Sequence, residues 1–269
     1  MKIRIGGVPE HFNYPWHMAM EGGDFTGNNL NIEWNDYPGG TGAMCKDLRE
    51  NNLDMAVVLT EGIIADIHKG NPSKILQVYV SSPLIWGIHV PAHSDVKSMD
   101  EIKNKRYAIS RPGSGSHLMA MVHANTKGWK VENLNFVTIN NLDGARKAFK
   151  ENQADVFFWE KFTTKPFVDN GEFRRVGEFP TPWPCFVIAV REEFFNQHKN
   201  EVDLTLSIVN KKAEELKNRS DNYLVIARRY GLEENDAKEW FGSVEWNSVI
   251  DNNSLIKNVK DRLIAFKII

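Results

Sequence analysis

Short apolar runs alternate with helix-forming segments along the first seventy residues of the chain. The runs at 2–6, 31–37 and 54–59 have the length of strands. The third run is almost continuously apolar, which is typical of a strand covered on both faces. Each run leads through a loop into a segment with helical periodicity. The order βαβαβα therefore favours a parallel sheet that lies between helices.

A second series of predicted strands follows and leads into a helical C-terminal part. The strands are expected at 75–80, 84–90, 106–110, 136–139, 155–159, 173–179 and 186–190, and the pattern is helical from Glu192 onward. Prolines mark the segments 83–91 and 180–190, at the two ends of the second series. If the chain leaves one domain at the first segment and returns at the second, these segments are paired hinge strands.

We therefore predict an α/β fold of two lobes, with mixed sheets flanked by helices and with helices at the C-terminus. The first lobe is expected to begin with residues 1–86, and residues 87–184 are expected to form the second lobe. Residues 185–269 would then supply the return strand and the C-terminal helices of the first lobe. No internal repeat is evident in the sequence.

Composition narrows the class of function. The 269 residues are 42% apolar and 25% charged, as in ordinary globular proteins, and suffice for two modest domains. A net charge of −2 and scattered basic residues do not favour nucleic acid as a partner. Cys45 and Cys185 match no metal-ligand spacing, so we predict no metal and no cofactor.

The same sequence has no apolar run of transmembrane length and begins with a strand, without an apolar leader region. We therefore expect no membrane insertion and a cytoplasmic location. A periplasmic location is expected instead if a leader peptide has been removed. The oligomeric state is not indicated.

A glycine- and serine-rich loop at 111–117 joins a predicted strand to a predicted helix. Backbone N–H groups at the start of a helix lack partners, and glycines allow a ligand to approach closely. Ser114 and Ser116 could cap the helix or donate to a bound oxygen atom, and Arg111 and His117 could carry positive charge. The loop is suited to an anionic or oxygen-rich small molecule, although a plain capped turn would have the same composition.

Other loops are expected at the carboxyl ends of the strands, where open α/β sheets bind ligands. Glu10 and His11 follow the first strand and could bind a ring nitrogen or act as an acid–base pair, or simply be surface residues. Glu61 and Glu160 each follow a buried strand and could accept from ligand N–H groups or cap the following helix. In a closure of two lobes these loops would face one cleft.

The predicted ligand-binding residues share these loops, and no catalytic residue is predicted among them. They are Glu10, His11, Phe12, Gly40, Thr41, Thr60, Glu61, Arg111, Ser114, Gly115, Ser116, His117, Trp159 and Glu160. Phe12 and Trp159 could stack on a planar ligand. A mixture of cationic and acidic side chains suits a zwitterion or a polar heterocycle better than a bare inorganic anion.

Several motifs, in their order along the chain, resemble the type II periplasmic-type solute-binding proteins. The resemblance is to the branch that binds aliphatic sulfonates, nitrate or taurine and includes relatives of the thiamine-pyrimidine synthases. It covers roughly residues 1–190 and lies in Gly7-Val-Pro-Glu-His-Phe, Pro38-Gly-Gly-Thr-Gly, Leu53-Asp-Met-Ala-Val-Val-Leu-Thr-Glu-Gly, Met99-Asp-Glu-Ile-Lys-Asn-Lys-Arg, Ile109-Ser-Arg-Pro-Gly-Ser-Gly-Ser and Ala154-Asp-Val-Phe-Phe-Trp-Glu. The cysteine-rich motif of the fungal pyrimidine synthases is absent.

The resemblance implies a closing cleft, and two functions stay open. The first is a solute-binding or carrier protein for a zwitterion, an organic anion or a pyrimidine-like heterocycle, with an ABC transporter permease as a possible partner. The second is an enzyme on the same fold that acts on a small heterocyclic or thiamine-precursor-like metabolite. In that case Glu10 and His11 would be the acid–base groups.

Overall fold

The computed structural model describes residues 2–248 and 253–269, and the chain divides into two units. The first unit is Met1–Ser82 with Trp183–Val259, and the second is Pro83–Pro182 with Lys260–Ile269. The chain passes from one unit to the other after Ser82 and after Pro182, a few residues before the predicted boundaries at 86 and 184. The last ten residues group with the second unit instead of the first, because Phe266 accepts a hydrogen bond from Asn125 Nδ2 at 3.3 Å.

The described residues contain ten strands, which lie close to the predicted apolar runs. The strands are β1 (Lys2–Gly7), β2 (Asn31–Asp36), β3 (Met55–Leu59), β4 (Ser73–Val80), β5 (Ile85–Pro91), β6 (Arg106–Ile109), β7 (Asn135–Thr138), β8 (Val156–Glu160), β9 (Phe173–Pro180) and β10 (Phe186–Arg191).

Twelve α-helices are described in the same residues. They are α1 (Tyr14–Glu21), α2 (Asp24–Gly27), α3 (Thr41–Arg49), α4 (Thr60–His68), α5 (Gly115–Thr126), α6 (Leu142–Lys150), α7 (Lys165–Asp169), α8 (Glu192–Gln197), α9 (Lys199–Asn218), α10 (Asn222–Tyr230), α11 (Glu234–Ser243) and α12 (Asn253–Ala265). Short 3-10 helices lie at His11–Asn13, Met99–Ile102 and Val131–Asn133.

The sheet of the first unit has the strand order β2-β1-β3-β10-β4. β1 runs parallel to β2 and β3, whereas β10 runs antiparallel to β3 and β4. Every residue of β3 is buried, as its apolar run predicts. α3 covers the sheet with Met44 and Leu48, which pack against Ala56, Val58 and Val187 of the strands.

The sheet of the second unit has the order β7-β6-β8-β5-β9. β6 is parallel to β7 and β8, and β5 is antiparallel to β8 and β9. Each strand has a counterpart at the same position in the first sheet, with the same direction relative to its neighbours. Two mixed sheets with surrounding helices confirm the predicted fold class.

One ion pair occurs in the same form in both units. Arg4 donates to Asp54 from Nε at 2.9 Å and from Nη2 at 2.6 Å. Arg106 donates to Asp155 from Nε at 3.0 Å and from Nη2 at 2.8 Å. In both pairs the arginine N–H also donates to the carboxylate, which fixes the first parallel strand against the start of the central one. The two units therefore repeat one design, although the sequence analysis recognised no repeat.

Candidate functional site

The start of α3 is fastened to the end of β3 in the first unit. Thr41 Oγ1 accepts a hydrogen bond from the N–H of Leu59 at 2.9 Å. Gly40 directly precedes the helix with a φ of +72°, in the region that favours glycine. Gly62 packs so closely on Thr41 that a Cβ there would lie 2.6 Å from its methyl group. Gly40 and Thr41 thus shape the loop, and the Thr41 hydroxyl holds a backbone group.

The start of α4 is fastened to the segment at which the chain re-enters the first unit. Thr60 donates from Oγ1 to the carbonyl oxygen of Pro184 at 2.6 Å and from its N–H to that of Cys185 at 3.0 Å. Glu61 is fully buried, and its Oε2 accepts from Trp183 Nε1 at 2.8 Å. Burial raises the pKa of Glu61 to about 7, and the Trp183 hydrogen bond opposes this rise.

The other oxygen of this carboxyl group, Glu61 Oε1, is buried and has no hydrogen-bond partner within 2–248 and 253–269. Most buried polar atoms in proteins have a hydrogen-bond partner, because an atom that is removed from water without one is unfavourable. Glu61 Oε1 is an exception. The predicted alternative for Glu61, a helix cap, is consistent with its position in the first turn of α4. Its recorded side-chain hydrogen bond is to the indole of Trp183.

His11 lies in a buried aromatic cluster. Its ring is 4.9 Å from that of Phe12, 4.2 Å from that of Trp240 and 5.9 Å from that of Tyr230. Burial disfavours the charged form and lowers the pKa of His11 to about 3. The expectation of an ionisable side chain exposed in an open cleft is therefore corrected: this imidazole is a neutral part of the packed first unit.

The residues beside His11 are buried as well. Phe12 packs on Phe186 with ring centroids 5.0 Å apart, and its carbonyl oxygen accepts from Tyr79 Oη at 3.0 Å and Trp246 Nε1 at 3.1 Å. Glu10 is 8% exposed and begins the 3-10 helix. The loop after β1 is thus held by the core, so Glu10 and His11 are not the surface residues of the alternative interpretation.

In the second unit, the loop before α5 contains three buried hydroxyl groups close together. Ser114 is the N-cap of α5, where its Oγ accepts from the N–H of His117 at 3.4 Å. Ser116 Oγ accepts from the N–H of Ser110 at 3.0 Å and lies 3.1 Å from Ser114 Oγ. Gly115 is half-buried as the first helical residue. The capped turn that we gave as an alternative is therefore formed.

The Arg111 and His117 side chains of this loop are half-buried. His117 Nδ1 accepts from the N–H of Gly113 at 3.0 Å, and its ring meets that of Phe136 edge-on at 4.5 Å. The backbone N–H of Arg111 donates to Ser114 Oγ at 3.4 Å. An imidazole that accepts at Nδ1 is held in one orientation by the loop itself.

The end of β8 carries the remaining predicted residues. Trp159 is half-buried and stacks on Phe157 with centroids 5.1 Å apart. Glu160 is buried and accepts at Oε2 from the N–H of Thr163 at 2.6 Å and from its hydroxyl at 2.8 Å. Burial raises the pKa of Glu160 to about 7, and the Thr163 bonds oppose the rise. Glu160 thus caps the turn that follows, as the alternative interpretation has it.

The structure groups these residues by unit. In the first unit, Thr41, Thr60 and Glu61 lie around the end of β3, whereas Glu10, His11 and Phe12 pack in the core. In the second, one group surrounds the start of α5 and another ends β8. The sequence analysis singled out neither Ser110, although it ends the predicted strand, nor Trp183.

The described residues contain neither a cluster of potential metal ligands nor a membrane-spanning helix. Over 2–248 and 253–269, no group of three or more His, Cys, Asp or Glu side chains could hold a metal ion. Cys45 and Cys185 are both buried free thiols. The helices of the described residues are too short or too polar to cross a membrane.

Comparison with known proteins relates the chain to binding proteins. The family model described as Ca3427-like PBP matches residues 86–179, inside the second unit. The Candida albicans CA3427 gene product, which defines a family with the generic periplasmic binding protein fold, is 29% identical with a TM-score of 0.92. That comparison covers 100% of this chain and 91% of the other. No curated protein matches.

Two more distant solved structures share the fold. The alkanesulfonate-binding protein SsuA from Xanthomonas axonopodis pv. citri, bound to MOPS, is 15% identical with a TM-score of 0.79, over 99% of this chain and 93% of that one. The zinc-bound ligand-binding component of an ABC-type import system from Staphylococcus aureus is 14% identical with a TM-score of 0.73, over 100% and 93%. The chain is therefore a protein of the periplasmic-binding-protein fold, similar in its second unit to the Ca3427-like proteins.

Proposed function

We propose that the protein binds a small polar metabolite, as a solute-binding or carrier protein. The observation that carries this proposal is a buried carboxyl group at the end of the central parallel strand of each sheet, Glu61 after β3 and Glu160 in β8. The carboxyl ends of such strands are the ligand-binding edge of open α/β sheets.

Energetics support a functional role for these groups. Burying a carboxyl group is unfavourable unless hydrogen bonds compensate for the lost water. Burial raises the pKa values of both carboxyl groups to about 7, so a hydrogen-bond donor of a ligand would stabilise the ionised form. Raised carboxyl pKa values concentrate at functional sites, because a ligand can supply the missing interactions there.

The second unit offers hydrogen-bond donors. The hydroxyl groups of Ser110, Ser114 and Ser116 surround the start of α5, where helix N–H groups favour oxygen-rich or anionic groups. A binding protein that contains both buried carboxyl groups and such donors suits a zwitterion, an organic anion or a pyrimidine-like heterocycle as its ligand.

The partner and the location are part of this proposal. One structural neighbour is the ligand-binding component of an ABC-type import system. By analogy, an ABC transporter permease would be the partner of a periplasmic form of this protein, and a cytoplasmic form would act as a carrier or sensor.

The enzymatic alternative depends on Glu10 and His11 as an acid–base pair, and catalytic acids and bases work best with a pKa near the operating pH. His11 is buried among aromatic rings, and burial lowers its pKa to about 3, which makes this imidazole a weak base. This arrangement favours binding without conversion, which we propose.

Native mass spectrometry of the purified protein tests the proposal. We expect one small molecule per chain, which denaturation releases and which keeps its mass after prolonged incubation with fresh protein. When added back at 100 times its Kd, this molecule should stabilise the fold by about 2.7 kcal/mol.

Two results would count against the proposal. Chemical conversion of the molecule over many turnovers would make the protein an enzyme. Absence of any bound molecule, together with no thermal shift from sulfonates, amino acids or pyrimidines, would remove the binding function.

A further inference from the structure

The buried carboxyl group of Glu61 lacks one hydrogen bond. Glu61 is 0% exposed, and Oε1 has no partner among the residues that the structure describes. The group lies in the first turn of α4, a helix of nine residues. A charged or polar atom that is both buried and unpartnered is unfavourable in the protein alone, so a ligand that supplies a donor would relieve this cost.

The carboxyl group is held in place and cannot easily turn to find another donor. Trp183 Nε1 fixes Oε2 at 2.8 Å. Thr60, the preceding residue, is bound twice to the segment that carries this indole, at Pro184 and at Cys185. The position of Oε1 is therefore fixed by the protein before any ligand arrives, which lowers the entropy cost of binding.

The chemistry of Oε1 selects the kind of ligand atom. An ionised carboxylate can only accept hydrogen bonds, and the recorded side-chain partner of Glu61 is an uncharged indole. An anion without a donor, such as a simple sulfonate, would leave Oε1 unsatisfied and would add repulsion. A nitrogen that carries hydrogen, above all a cationic one, would satisfy the oxygen and form a charge-assisted hydrogen bond.

We propose that Glu61 Oε1 accepts a hydrogen bond from an N–H group of the ligand, which makes the ligand an amine or an amino-substituted heterocycle. This inference rests on the proposed binding function and narrows its ligand class. Trp183 acts as a positioning residue, because its indole orients the carboxyl group and leaves the second oxygen for the ligand.

Pairs of probes that differ in one amino group test this inference. The pairs are taurine with ethanesulfonate, and 4-aminopyrimidine with pyrimidine, each titrated calorimetrically into the protein. In at least one pair the aminated member should bind tenfold or more tightly than its partner. Substitution of Glu61→Gln should reduce that ratio to about threefold or less, because the amide is uncharged and can no longer form the charge-assisted bond.

Asp66→Asn is the matched control, since it makes the same carboxyl-to-amide change on α4, five residues after Glu61. It should keep the preference for the aminated probe, and melting temperatures should show that both variants fold. A ratio that stays at tenfold in Glu61→Gln would overturn the inference. If this variant does not fold, equal affinities of paired probes for the wild-type protein overturn it.

The outcomes separate this inference from the proposed function. Equal binding of aminated and non-aminated probes refutes the role of Glu61 and leaves the binding function intact. Failure of every probe and of every co-purifying molecule to bind refutes both.

Discussion

His123 should make the second unit sensitive to acid. It lies on α5 at 1% exposure, with the rings of Trp129, Phe158 and Phe179 at centroid distances of 5.5, 5.5 and 5.2 Å. Both ring nitrogens are buried and have no hydrogen-bond partner in 2–248 and 253–269. Burial, reinforced by the positive charge of Lys127, lowers the pKa of this imidazole to about 4.

The magnitude follows from the difference in pKa between the folded and unfolded chain. Below the unfolded value of about 6.5, the unfolded chain binds a proton that the folded chain does not bind. Titration of His123 therefore leaves the free energy of unfolding unchanged above that pH and lowers it as the pH falls from 6.5 towards 4. A shift from 6.5 to about 4 corresponds to about 3 kcal/mol, of which about 2 kcal/mol is lost between pH 7 and pH 5.

Urea unfolding of the wild-type protein and of His123→Leu, at pH 7 and pH 5, measures the loss of free energy of unfolding that His123 causes. The free energy of unfolding of the wild-type protein should fall by about 2 kcal/mol more than that of the variant. Other groups, including the buried His11 and His89, titrate in both proteins and cancel in the comparison. At pH 7 the variant should be at least as stable, because leucine leaves no unpaired nitrogen. An equal loss in both proteins would refute the reasoning.

Two further predictions concern stability. Asp54→Asn should lower the free energy of unfolding by about 2–3 kcal/mol, because this carboxylate is 3% exposed and accepts from Arg191 at 3.4 Å as well as from Arg4. Asp155→Asn should cost about 1 kcal/mol or less, because its carboxylate is 29% exposed; equal losses in urea unfolding would contradict this. Gly144→Ala should destabilise by about 2 kcal/mol or more, because its Cβ would overlap the carbonyl oxygen of Ile139. Gly242→Ala has open space on its helix and should stabilise by about 0.5 kcal/mol, so similar melting temperatures for the two variants would contradict the explanation.

The strands could be predicted because their pattern is local. The runs at 54–59 and 155–159 correspond to β3 and β8 within one residue at each end. Both strands are covered on two faces, and such coverage requires a continuous apolar run wherever the neighbours come from. The positions of the loops at the carboxyl ends followed from the strand order alone.

The side-chain partners in those loops could not be predicted. His11 follows a strand in a polar, proline-containing loop, yet Tyr230 and Trp240 from the C-terminal helices bury it. Glu61 meets its indole donor only where the chain returns from the second unit. Whether a loop is buried depends on segments that are distant in sequence. The local pattern of residues in the loop therefore does not predict its burial.

The repeat between the units was visible in the sequence but was not recognised. Glu50-Asn51-Asn52-Leu53-Asp54 recurs as Glu151-Asn152-Gln153-Ala154-Asp155. In both segments the asparagine adopts a positive φ, +61° and +53°, directly after a helix, a position that asparagine tolerates well. The aspartate then receives the arginine of the first parallel strand. The segment is therefore a structural unit, and its conformation explains the recurring residue types.

Because the two units share one strand order, a difference between corresponding side chains indicates a residue that serves ligand binding instead of the fold. Near the end of the central strand, each unit buries a carboxyl group. In the second unit, Thr163 satisfies one oxygen of Glu160 twice, and the carboxyl group is part of the turn. In the first unit, Trp183 satisfies one oxygen of Glu61 once and the other has no donor among the described residues. The fold does not require an unsatisfied carboxyl oxygen at this position, since the second unit forms the same strand order with a carboxyl group that is bonded to its own turn. This difference supports the inference that a ligand donates to Glu61 Oε1.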